Sequence, residues 1–90
     1  MSIANVYGMD IQAGRDLAAL MDKDASEIEG LTTHLTGVLE STPWYGPDAT
    51  RFKGDWSGQY VPALNSVVQA LRENSQQIYT QAQSQEDASS

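Results

Sequence analysis

Two prolines four residues apart, Pro43 and Pro47, divide this chain near its middle, and helical periodicity runs up to the break from both sides. Proline donates no amide hydrogen and disfavours helical geometry in the residue before it, so Pro43 ends whatever helix precedes it. Pro47, followed by Asp48, has the opposite meaning. Proline suits the first helical position, and an acid in the first turn complements the macrodipole. Upstream, Met9, Ala13, Leu17, Leu20, Asp24, Ile28, Leu31, Leu35 and Val38 recur by threes and fours. Downstream, Ala49, Phe52, Trp56, Tyr60, Ala63, Leu64, Val67, Leu71, Ile78 and Ala82 do the same, with Asn74 an interruption. This is the period of amphipathic helices.

The expected fold class is all-α: an antiparallel two-helix hairpin, one domain over residues 1–82 with a flexible polar tail at 83–90. Helix 1 is predicted over about 10–41, the turn over 42–47 and helix 2 over about 48–82. Each helix would be roughly 45–55 Å long at 1.5 Å per residue, and so short a connection folds them back on each other. Asp10 is the expected N-cap of helix 1. Gly30 and Gly37 either permit close helix approach or are tolerated surface glycines. Pro62 predicts a kink or loosened turn near residues 58–62, with the apolar stripe keeping phase across it. The predicted hairpin core is Leu17, Leu20, Ile28, Leu31, Leu35 and Val38 against Phe52, Trp56, Tyr60, Val67, Leu71 and Ile78. Met21, Leu39, Ala18 and Ala25 widen the helix 1 stripe.

Between the prolines stand Trp44, Tyr45 and Gly46, where turns usually carry small polar residues. A tryptophan there can cover the end of a two-helix core, its indole N–H reaching a free carbonyl, with Gly46 taking positive φ. It can equally be an anchor read by a partner. Helix 2 also carries a second apolar strip, Val61, Leu64, Val68 and Tyr79, about 100° from the first. A lone hairpin would leave it in water, so it is the predicted dimer interface, completing a four-helix bundle.

Composition narrows function mainly by exclusion. Twelve acidic against five basic residues give a net charge of −7. A chain so acidic lacks the basic face that nucleic acids or anionic membranes require. With no cysteine and one histidine, His34, neither a thiolate site nor a zinc-type histidine pair can form, and no metal or cofactor is expected. Asp22, Asp24, Glu27 and Glu29 read as a solvated acidic face, except Asp24, whose stripe position suggests a lysine or arginine partner on helix 2 or on another chain. No catalytic constellation is present, so an enzyme is not expected. The start of the chain lacks the basic and apolar regions of a secretory signal.

Trp44-Tyr45-Gly46, placed mid-chain between long helices, resembles the Trp-x-Gly signature of the WXG family, the early-secreted-antigen-like proteins of type VII secretion. The flanking "YGMDIQAGRDLAAL", "GPDATRFKGDW" and "YVPALNSVVQALRENSQQI" resemble actinobacterial members, over essentially the whole chain. The resemblance implies a hairpin paired with itself or a related helical hairpin. It also implies synthesis in the cytoplasm and export, without a Sec signal, by the type VII machinery, either as a substrate or as the co-exported partner of a larger secreted effector. Trp44, Tyr45 and Gly46 would be the recognition turn. The family's export signal is a tyrosine followed four residues later by an acid, and here the chain departs: Tyr79 is followed by Gln83, and Tyr60 by Leu64. Tyr79 with Gln83 is either a degenerate signal or packing surface, the signal then residing in the partner. Alternative readings are a targeting factor or chaperone-like adaptor for a secreted helical toxin domain, an intracellular adaptor that is not exported, and, least supported by the acidic charge, a membrane-perturbing hairpin.

Overall fold

The computed structural model describes residues 9–89, with the side chain of Ser89 excepted. Helix α1 spans Ile11–Ser41. The returning arm consists of α2, Pro47–Asp55, a π-helical turn, Trp56–Tyr60, and α3, Val61–Ser89. The arms lie side by side in a rod 63 Å long and 17 × 16 Å across.

Both ends of α1 follow from local chemistry. The Asp10 carboxylate accepts the Ala13 N–H at 2.8 Å, satisfying one of the free donors of the first turn. At the other end Pro43 holds Thr42 in extended geometry, and the Thr42 hydroxyl and N–H both donate to the Val38 carbonyl, at 2.6 and 3.0 Å. Gly46 then takes φ 110°, a region open to glycine, and Pro47 occupies the first turn of α2.

The π turn sets the architecture of the second arm. Pro62 has no amide hydrogen and its ring crowds the carbonyl of Gly58, so a widened turn fits here better than a regular one. The Val61 N–H bonds back five residues, to the Trp56 carbonyl. The loosened turn is where Pro62 predicts it, but the stripe does not keep phase. One extra residue between Trp56 and Val61 rotates every α3 side chain by about 100° around the helix axis. Tyr60 and Val67 swing out, while Val61 and Val68 swing in.

The seam between the arms consequently recurs every seven residues, the pattern of coiled-coil packing. From α3 it takes Val61, Leu64, Val68, Leu71, Ser75, Ile78, Ala82 and Gln85; from α1 it takes Gly14, Ala18, Met21, Ala25, Ile28, Thr32 and Leu39, every one buried or half-buried. The fully buried members are small, and among the described residues no large side chain is completely buried. Of the predicted core, Ile28, Trp56, Leu71 and Ile78 are half-buried as expected of a seam. Leu17, Leu20, Leu31, Leu35, Val38, Phe52, Tyr60 and Val67 are instead exposed, Leu31 to 68%. The predicted dimer strip is corrected in the opposite sense. Val68 is only 5% exposed, and Val61 and Leu64 share its face, so these three close the hairpin on itself. The polar tail expected from residue 83 continues α3 as helix to Ser89, because Arg15 of α1 holds Gln83 and Glu86. Gly30 and Gly37 face open space, so of the three helix 1 glycines it is Gly14 that lies in the seam.

A candidate interaction surface

With the seam taken as centre, each arm has two flanks about 80° away from it. On one side α1 presents Arg15, Asp22, Glu29 and Thr36, and α3 presents Asn65, Arg72, Tyr79 and Glu86. This flank is stitched by polar contacts. Arg72 donates two hydrogen bonds to the Glu29 carboxylate, both at 3.1 Å. Arg15 pairs with Glu86 and donates to the Gln83 carbonyl at 3.2 Å. The bonds from Arg72, and then its charge, hold Glu29 below the ordinary glutamate value and raise Arg72 above its own. A cleft of 390 Å³ on this side is lined by Ala18, Asp22, Arg72, Ser75 and Tyr79, among others. Tyr79, half-exposed, therefore stands on the polar flank, apart from the valines with which the sequence grouped it. Gln83, one helical turn on, is engaged at both ends, accepting from Arg15 and donating to Asp87.

The opposite flank is apolar. From α1 it carries Leu17, Asp24, Leu31 and Val38, with Leu20, Glu27 and His34 outside them; from the second arm it carries Tyr60 and Val67. Toward the turn it runs into a row of rings. Phe52 lies 6.0 Å from Trp44 and 6.4 Å from both Trp56 and Tyr60, centroid to centroid, within the range of favourable aromatic pairs. Apolar side chains left uncovered over such a length are the usual mark of an interface.

Trp44 sits at the end of that row, packed on Phe52, and its carbonyl accepts Lys53 Nζ at 3.2 Å. The indole hydrogen bond expected of it belongs to Trp56, which donates to the Thr36 hydroxyl at 2.9 Å. Tyr45 projects from the turn, 84% exposed. The turn thus combines a half-covered ring, a projecting ring and a glycine in a conformation that side chains rarely adopt. His34 is exposed and belongs to no cluster, and among the described residues no group of His, Asp or Glu could hold a metal ion. No helix among them is long and apolar enough to cross a membrane.

The stripe position of Asp24 suggests a basic partner on helix 2 or on another chain, and the structure bears on the first of these. It is half-buried on the apolar flank, and neither a hydrogen bond nor an ion pair reaches it within the described chain. The lysine or arginine considered for it on helix 2 is not there, since Arg72 serves Glu29 across the other flank.

Comparison of the chain with protein-family models, with curated proteins and with solved structures finds no match.

Proposed function

We propose that this chain is a WXG-type helical hairpin that acts by binding: made in the cytoplasm, exported through a type VII system, and paired with a second helical hairpin in a four-helix bundle. The observation that carries the reading is the Trp44-Tyr45-Gly46 turn, with Gly46 at φ 110°, joining two long helical arms that leave an apolar flank uncovered. A pair of small-residue arms gains little from its own seam, and an isolated hairpin of this size has few other sources of stability. Covering Leu17, Leu31, Val38, Tyr60 and Val67 with a partner's helices supplies what the seam lacks. The engagement of Gln83 by Arg15, in place of a free acid one turn after Tyr79, favours the co-exported role, in which the partner supplies the tyrosine–acid signal.

The test is export itself. The tagged chain is expressed, with its adjacent genes, in an actinobacterial host that has an active type VII system, and culture filtrate is compared with lysate. The protein should reach the filtrate intact, and disappear from it when the system's ATPase is inactivated. Export that survives loss of the ATPase would refute the assignment. Trp44→Ala should abolish export while the purified variant remains helical; unchanged export would remove the turn from the recognition surface.

A further inference from the structure

The apolar flank has a charge pattern that discriminates among possible partners. Along it α1 contributes two carboxylates, Asp24 and Glu27, and α3 contributes no charged residue, only Asn74, Gln77 and Gln81. All five bases are elsewhere. Arg15 and Arg72 stitch the polar flank, Arg51 pairs with Asp48, Lys53 reaches the Trp44 carbonyl, and Lys23, on the outer face, stands 4.0 Å from Glu27. Of the two carboxylates on this flank, Asp24 is the one with no base in reach. It also sits near the middle of its helix: α1 runs from Ile11 to Ser41, and Asp24 is two residues, or about 3 Å, from its centre.

That position has a symmetry consequence. A second copy docking through the same flank with the ends of its α1 level with those of the first, parallel or antiparallel, brings its own Asp24 to nearly the same height, and a two-fold interface contains only what one copy provides, twice. Two uncompensated carboxylates would then meet in a half-apolar setting with no base between them, which disfavours the pairing. A partner with a base at mid-stripe turns the same carboxylate into an ion pair. We infer that the apolar flank selects against a second copy of this chain and takes a different helical chain, one with a lysine or arginine set among apolar residues opposite Asp24. The inference rests on the reading that the flank is covered by a helical partner.

The experiment uses this chain as its own probe. Sedimentation equilibrium at low salt is run on the wild type, on Asp24→Lys, on Asp24→Asn, and on an equimolar mixture of wild type and Asp24→Lys, each verified as helical. The mixture should form a one-to-one pair about tenfold tighter than either component forms alone, and the gap should narrow as salt screens the charges. Asp24→Asn should associate with itself more tightly than the wild type. Wild-type pairing as tight as the mixture would overturn the selection against a second copy while leaving a helical partner in place. No pairing in any sample, Asp24→Asn included, would overturn the flank as a docking face. Export, read from the culture filtrate, is decided independently of either result.

Discussion

Near the termini the two arms meet through Gly14, Ala18, Ala25, Ser75 and Ala82; near the turn they meet through Trp56 and half-covered aliphatic side chains, with Phe52 and Tyr60 lying outside. In the first half the backbones come close enough for the Ser75 hydroxyl to reach the Ala18 carbonyl at 2.7 Å, and the Arg72–Glu29 and Arg15–Glu86 pairs fasten the edge. The second half has one cross-arm side-chain bond, from Trp56 to Thr36, and its apolar bulk faces outward. One half is closed by proximity and polar stitching; the other holds its large side chains in reserve for another surface. The hairpin therefore does not spread its hydrophobic residues evenly between folding and binding.

The largest test of that division is Val68→Asp. Val68 is buried where the arms meet, so a charge there has no water and no base, at a cost of at least about 3 kcal/mol. In a domain with little stability to spare, the far-UV helical signal should collapse. A variant that stays helical and loses only association would return Val68 to an intermolecular role. A finer test sets Ala18→Leu against Leu31→Ala, the same change of volume in opposite senses. Leu at position 18 must force apart a closed seam and should cost about 1–3 kcal/mol in urea unfolding. Loss of the exposed Leu31 should cost less than about 1 kcal/mol in the isolated chain. Reversal of that order would erase the distinction between seam and flank. The smallest effect concerns the stitching. Glu29 titrates below the ordinary 4.5, so its bond to Arg72 contributes above that value and is lost as pH falls through the lowered one. Between about pH 7 and about pH 3 the wild type should therefore lose slightly more thermal stability than Glu29→Gln. Equal losses would mean that solvent screening leaves the pair without effect.

The arms, the break at Pro43, the Asp10 cap and the positive φ of Gly46 were all legible in the residues, because each depends on local chemistry. The choice of face was not. Tyr60 and Val61, and again Val67 and Val68, are adjacent apolar pairs, so hydropathy fits either phase, and only the π turn decides between them. A seam of glycine, alanine, serine and threonine is also quieter than a row of leucines, and the eye follows the leucines. The usable signal was the strict spacing of seven in Val61, Val68, Ser75 and Ala82, matched by Ala18, Ala25 and Thr32. The helical end of the chain escaped for a different reason. Its polar composition describes the segment accurately, but Arg15, far away in sequence, is what holds it. On the candidate surface, the indole bond expected of Trp44 is made by Trp56 instead, and the stripe position of Asp24 suggested a basic partner that α2 and α3 do not supply.

The π turn also bears on how such a chain tolerates changes of length. In a seven-residue seam, loss of one residue ordinarily throws everything beyond it out of step. Here the surplus residue is already present, so a deletion at Gln59 would bring Val61 to the regular four-residue distance from Trp56 and keep α2 and α3 in step on α1, but it would also set Pro62 in a regular turn, against the carbonyl four residues before it. The angle at which the Tyr60 ring leaves the rod would change too. An insertion at the same place has no such refuge. Loss of a residue at this point thus keeps the seam in step at the expense of a strained turn at Pro62, whereas gain of one loses the step altogether.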